Sequence, residues 1–170
     1  PPLVKASLGE EVTKEELGGP EIALGSGLID NLSLDDKDAL AQIRKWLSFF
    51  PSSAWEHPQK SSSEDGPRAT PELLDIIPAD SGQPYDMNDV IKIIADKTTW
   101  FEVKSSFGRS ILTGLARVDG VPIAIIANQP LYLGGSIDVD AADKASHFIQ
   151  VADSFHIPLL FLSVKYFSPS

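Results

Sequence analysis

Three features of the sequence predict a layered α/β domain. Two apolar runs, Ile111 to Ala116 and Val121 to Ala127, flank Asp119-Gly120, a pair suited to the positive φ angles of a two-residue hairpin turn. The second run, VPIAIIA, lacks polar alternation, so both of its faces are expected to be covered. A Gly-rich loop, a helical stripe and a third apolar run, Leu159 to Leu162, then follow in the order of a strand-helix-strand crossover.

Taken in order, the chain begins with the short apolar unit Leu3-Val4, expected as a brief strand. Thr13 and Glu16 form a Thr-x-x-Glu capping box, which satisfies orphan amides at the start of a short helix ending before Gly18-Gly19. Gly25-Ser26-Gly27 marks a turn. Ser33 and Asp36 repeat the cap spacing ahead of Leu40, Ile43, Leu47 and Phe50, one helical face expected to pack on its own core and to stop at Pro51. Residues 51–71, PSSAWEHPQKSSSEDGPRATP, are rich in Ser and Pro and are expected to form a flexible linker. Trp55 and His57 are read there as exposed linker residues, because His57 has no second ligand at metal-binding spacing.

Apolar content restarts at Leu73, Leu74, Ile76 and Ile77. Asp86 can cap a helix with Val90, Ile93 and Ile94 facing inward and Lys97 near its negative end. Trp100, Phe101 and Val103 are expected as a short packed segment before the hairpin. After the second hairpin strand, Asn128-Gln129-Pro130 opens a loop containing Gly134-Gly135. Asp140 can cap the next helix, whose Ala141, Ala145, Phe148, Ile149 and Ala152 share a stripe that ends near Phe155. Leu159 to Leu162 is expected as a further buried strand.

The 170 residues are 42% hydrophobic, enough to build a core, and carry a formal charge of -10. That charge argues against a nucleic-acid partner and against an anionic membrane surface, both of which call for a basic face. No apolar run reaches the roughly 18 residues of a membrane span, since Arg117 and Asp119 break the longest candidate. Cysteine is absent, which excludes disulfides, a thiolate nucleophile and cysteine-ligated metal. Asn31-Leu32-Ser33 spells a glycosylation tripeptide and is read as a chance match.

The inventory of catalytic motifs is short. There is no Gly-x-Ser-x-Gly elbow, no phosphate-cradling Gly-x-x-x-x-Gly-Lys-Ser/Thr loop and no His-Glu-x-x-His helix. His57, His147 and His156 are scattered, and His147 reads as a helix-face residue. Asp138, Asp140 and Asp143 are explained by capping and the helix dipole, so no metal is expected. Loops at strand carboxyl ends are where α/β folds bind small molecules, which makes Gly134 and Gly135, with Asn128 and Gln129 beside them, the candidate substrate-binding residues.

The run RSILTGLARVDGVPIAIIANQP, followed by GGSIDVDAADKASHFI and ADSFHIPLLFL, resembles the carboxyltransferase subunits of biotin-dependent acyl-CoA carboxylases. The ANQP segment, the Gly-x-x-Asp-x-x-Ala-x-x-Lys-Ala run of Gly135, Asp138, Ala141, Lys144 and Ala145, and the aromatic-x-Ile-Pro-Leu stretch carry the resemblance. PPLVKASLGEEVTKEELGGPEIALGSGLID is similar to the segment closing the family's first crotonase-like half, and PYDMNDVIKIIAD to the one opening its second. The resemblance therefore implies an incomplete crotonase-like fold in three parts: the end of the first half over residues 1–50, the linker over 51–71 and the start of the second half over 72–170. It implies transfer of a carboxyl group from carboxybiotin to the α-carbon of a small acyl-CoA. Backbone amides at helix N-termini would hold the enolate-like oxygens.

Those oxyanion segments belong to family stretches outside this sequence, so no catalytic residue is expected in this chain and the fragment is expected to be inactive alone. After Leu162 the family continues with Asp/x-x-Pro-Gly-Phe, whereas here Ser163 to Ser170 reads SVKYFSPS. The resemblance further implies biotin on a partner carrier domain, a biotin carboxylase or carrier subunit, a homo-oligomer, and a cytoplasmic location, or the mitochondrial matrix in a eukaryote. A non-catalytic interaction module and an enoyl-CoA hydratase or isomerase relative are the alternatives.

Overall fold

The computed structural model describes residues 2–63, 69–80 and 82–163. Residues 64–68 of the expected linker and the departing C-terminus, 164–170, lie outside the described residues.

The N-terminal third is helical. Leu3-Val4, expected as a strand, lies inside helix α1 (Pro2–Leu8). A two-residue apolar unit with no strand to pair against leaves its backbone groups unsatisfied, whereas a helix starting on proline satisfies them locally. The capping box stands: the Glu16 amide donates to Thr13 Oγ1 at 3.1 Å and the Thr13 amide to Glu16 Oε2 at 2.7 Å, ahead of α2 (Lys14–Gly18). The backbone and hydroxyl hydrogen bonds from Thr13 lower the Glu16 carboxyl below its ordinary range. Helix α3 (Pro20–Gly25), with proline in its first turn, was not signalled by periodicity.

Helix α4 (Asp36–Leu47) is capped by Asp35 rather than Ser33: its carboxylate accepts the Asp38 amide at 2.7 Å, and a carboxylate also complements the helix dipole. Its expected core face is largely exposed, with Leu40, Ile43 and Leu47 at 56, 52 and 60%. The aromatic cluster at its C-terminal end packs inward instead, Phe49 being buried while Trp46 and Phe50 lie against the core. Lys45 anchors the helix by donating to Thr98 O at 2.9 Å and Trp100 O at 3.0 Å.

After a single turn, α5 (Leu73–Ile76), helix α6 (Met87–Ile94) starts on the expected Asp86 cap and buries Met87, Val90 and Ile91. Ile93 and Ile94, expected inward, are half-buried. Strands β1 (Phe101–Val103), β2 (Ile111–Val118), β3 (Val121–Asn128) and β4 (Leu159–Leu162) form one sheet in that spatial order. The first three are antiparallel and β4 runs parallel to β3, joined to it by helix α7 (Val139–Ser154).

The hairpin turns where expected. Asp119 and Gly120 have φ of 50° and 77°, and the Asp96 carboxylate accepts both of their amides, at 3.0 and 2.7 Å. Only glycine fits at 120: beyond its positive φ, a Cβ there would stand 2.0 Å from Ser61 O.

The two faces of β3 meet different layers. Ala124 and Ile126 join a cluster with Phe148 and Ala152 of α7, while Ile125 and Ala127 join Met87, Val90 and Ile91 of α6. Both faces of VPIAIIA are thus covered, as its unbroken apolar run requires. The outer strand β4 is only half-covered: Leu159 and Phe161 are 39 and 59% exposed, which corrects the expectation of a buried strand. It lies at the end of the sheet, with β3 as its one neighbour there.

Residues 51–63 of the Ser- and Pro-rich segment contain no helix or strand but are docked. Arg117 donates to Ser48 O at 2.5 Å, Gly120 O at 2.8 Å and Gln59 O at 3.4 Å. The Ser61 amide donates to Gly120 O at 3.0 Å, and Lys60 pairs with Asp119 at 2.6 Å.

Candidate functional site

The carboxyl end of β3 feeds directly into the loop that the sequence singles out. Asn128 Nδ2 donates to Gly135 O at 2.5 Å, folding the loop back on the strand it leaves. Gln129 is 2% exposed and engages both ends of its amide: Oε1 accepts the Met87 amide at 3.2 Å, and Nε2 donates to Asp86 Oδ1 at 2.6 Å. Its backbone amide donates to Ser110 O at 2.8 Å. Gln129 therefore ties the loop to the first turn of α6.

Gly134 and Gly135 have φ of 61° and 76°, inside a single 3₁₀ turn (Leu133–Gly135). Gly135 is buried, its amide donates to Tyr132 O at 2.8 Å, and a Cβ on it would lie 3.2 Å from Asn128 Cβ. Gly134 is exposed. Of the four candidate residues, three are thus occupied in bracing the loop, and Gly134 is the one at its surface. Tyr132 is held from outside by Arg109, which stacks 3.9 Å from the ring centre and also donates to the phenol oxygen.

Helix α7 leaves the loop on a different cap from the one expected. Asp138 Oδ1 accepts the Ala141 amide at 2.8 Å, and Asp140 sits in the first turn. Two candidate cap residues two positions apart look alike in sequence. The one chosen puts Ala141, Phe148 and Ala152 against the sheet, with Ala145 and Ile149 partly packed, as the stripe requires.

Sequence reasoning missed two charged groups near this site. Lys144 is 2% exposed on the same stripe and donates to Ile111 O at 2.8 Å and Phe107 O at 3.0 Å, pinning the start of β2 to α7. Burial lowers its ammonium to about 8, with Lys104 pushing the same way and Glu102 opposing. The signal was present: Lys144 stands three residues after Ala141 and four before Phe148, which is core spacing. Glu102 lies across the sheet from it, and burial, with Asp86 nearby, raises its carboxyl against the opposing effects of Lys144, Asn88 and Lys92.

His147 is exposed on the helix face, and Trp55 is 94% exposed. Among the described residues no group of three or more His, Cys, Asp or Glu could hold a metal ion, and no helix is long and apolar enough to cross a membrane. Asn31 of the Asn-x-Ser tripeptide donates its side-chain amide to Glu102 O at 2.9 Å.

A sheet whose strand β3 is covered on both faces, with a braced Gly-Gly loop at the carboxyl end of that strand and a crossover helix after it, defines a class: an α/β unit that offers backbone at a strand end. The particular family follows from comparison with known proteins. The Carboxyl transferase domain matches residues 1–164, and the chain belongs to that family. It is 39% identical over 172 residues to the methylmalonyl-CoA decarboxylase subunit alpha of Veillonella parvula, covering 99% of this chain and 34% of that protein. It is 37% identical over 172 residues to the propionyl-CoA carboxylase carboxyltransferase subunit of Haloferax mediterranei, covering 99% and 33%. Its fold matches a solved structure of the transcarboxylase 12S hexamer with methylmalonyl-CoA and methylmalonic acid bound, at a TM-score of 0.90 and 36% identity, over 100% of this chain and 34% of that one. The fold is thus that of the crotonase-like carboxyltransferases, and the chain spans about a third of the length of these relatives.

Proposed function

We propose that this chain is the central part of a biotin-dependent acyl-CoA carboxyltransferase. The family match over residues 1–164 carries the reading. Residues 1–50 would close the first half, 51–71 connect, and 72–170 open the second half. The transferred carboxyl group would come from carboxybiotin on a partner carrier domain, so the chain needs no residue of its own to anchor biotin. The α-carbon of a small acyl-CoA would receive it.

An enolate-like intermediate is stabilised by fixed N–H dipoles rather than by titrating side chains, which fits a chain without a nucleophile-base pair. Within the loop, direct substrate contact falls to Gly134. Asn128, Gln129 and Gly135 position it, because Asn128 Nδ2, both ends of the Gln129 amide and the Gly135 backbone are already engaged. The working protein would be a homo-oligomer acting with a biotin carboxylase or carrier subunit, in the cytoplasm or, in a eukaryote, the mitochondrial matrix.

Carboxyl transfer from carboxybiotin to small acyl-CoAs, or in reverse from the carboxylated acyl-CoAs to free biotin, tests the proposal. The assay compares the 170-residue chain with a protein extended on both sides to the length of the relatives. Turnover is expected from the extended protein alone. Turnover by the 170 residues would overturn the view that the missing amide segments are required. No turnover by either would favour a non-catalytic crotonase-like module.

A further inference from the structure

The sequence leaves His57 alone because no other ligand stands near it, but the fold brings His156 to it. Their ring centres are 5.0 Å apart, with planes tilted by 48°. His156 Nε2 also lies 3.1 Å from Ala54 O. We propose that His57 and His156, with the Ala54 carbonyl, bind a divalent transition-metal ion of the zinc class and so clip the segment after α4 to the turn between α7 and β4.

The spacing of the ring centres fits a shared ion. With Zn–N bonds of about 2.0–2.1 Å, two imidazoles on one tetrahedral ion have ring centres about 5 Å apart. Neighbouring nitrogen and oxygen ligands on such an ion lie about 3.0–3.4 Å apart, which brackets the distance from His156 Nε2 to Ala54 O. Imidazole ligands favour zinc, copper and nickel over magnesium and calcium. In the metal-free protein the Nε2 proton can be donated to Ala54 O. Binding places that proton on Nδ1 and leaves Nε2 free to ligate. Both histidines are exposed, so the ion can enter and water can complete its coordination.

The backbone segments that carry the two histidines are also held in place. His156 has a φ of 57°, in a turn where its amide donates to Asp153 O at 3.1 Å and the Ile157 amide to Ala152 O at 2.9 Å. His57 rides on a segment fixed at one end by Phe50, whose ring meets Phe155 edge-on at 5.1 Å, and at the other by the Arg117 and Ser61 hydrogen bonds. A site with two imidazoles and one carbonyl is weaker than a four-ligand structural zinc site and acts as a clip rather than a folding nucleus.

Equilibrium dialysis of the full chain against zinc chloride, with bound metal measured by mass spectrometry, tests this. The comparison includes His57→Ala, His156→Asn and the double variant. Asparagine keeps a residue that tolerates positive φ, so His156→Asn preserves the turn. One zinc per chain is expected. Loss of supporting groups around a metal already costs about 10–100-fold, so removing either ligand should weaken binding by more than about tenfold. The double variant should bind no more weakly than the singles, because all three changes dismantle one site. In parallel, zinc should slow proteolytic cleavage within residues 51–60 of the wild type and leave the variants unchanged. No zinc bound by the wild type, zinc retained by both single variants, losses that simply add, or cleavage unaffected by zinc would each overturn the proposal.

Discussion

Two helices of this chain carry the same kind of apolar stripe and end in opposite states. On α7, Ala141, Phe148 and Ala152 are buried against the sheet; on α4, Leu40, Ile43 and Leu47 are all more than half exposed. The contrast extends beyond the two helices. Helices α1 to α4 bury one residue between them, Ala23, whereas β2 and β3 are buried along most of their length. Spacing states which residues share a face, but it does not state whether anything covers that face. In a chain spanning a third of its relatives' length, the cover for the N-terminal helices is proposed to come from the rest of the carboxyltransferase.

The sharpest way to break this comparison is to truncate one residue from each region. Ile125 is fully buried between β3 and α6, so Ile125→Ala is expected to cost about 2–5 kcal/mol in urea denaturation. Leu40→Ala removes a similar side chain from an exposed stripe and is expected to change stability by no more than about 0.5 kcal/mol. Equal losses would mean that α4 is part of the same cooperative core.

The same contrast marks what was legible in the sequence. The hairpin was legible because Asp119-Gly120 acts locally, through its own φ angles, and the covered faces of β3 because an unbroken apolar run has only one economical environment. The α6 cap at Asp86 was legible for the same local reason. What failed depended on partners far along the chain. Leu3-Val4 found no strand to pair with, β4 is the last strand of its sheet, and the α4 stripe lacks a cover. The Gly134-Gly135 loop was expected after β3, and the structure has it there. The division of labour within it was not legible, because whether Gln129 faces a ligand or Asp86 is decided by α6, more than thirty residues earlier. Lys144 was overlooked for a different reason. A lysine at a core position contradicts composition, and only its two carbonyl acceptors make it tolerable.

Lys144 sharpens the comparison through pH, because no equivalent buried charge holds α1 to α3. Its folded-state value is about 8, below the ordinary 10.5 of the unfolded chain. Between those values the unfolded state keeps a proton that the folded state has released, so stability should rise as pH increases through that window. At about 1.4 kcal/mol per pH unit the rise has an upper limit of about 3 kcal/mol. Below pH 8 the lysine is charged in both states and this contribution is flat. Denaturation of the wild type and Lys144→Met from pH 7 to 10.5 isolates it, since other titrating groups are common to both. The wild type should gain on the variant as pH rises. Parallel curves would show that the two carbonyls stabilise the ammonium as well as water does.

The smallest expected effect lies in the best-formed local motif of the N-terminal region. Thr13 and Glu16 make both hydrogen bonds of a capping box, and in a helix that belongs to a cooperative core the loss of such a cap costs about 0.5–2 kcal/mol. Helix α2 buries nothing, so little of its capping energy is expected to reach the sheet. Thr13→Ala should therefore leave the global urea midpoint unchanged while speeding hydrogen exchange at the amides of residues 14–18, where local opening already governs exchange. A shift of the global midpoint by the full capping energy would instead couple α2 to the β2-β3 core by way of α3, whose Ala23 is the one residue these helices bury.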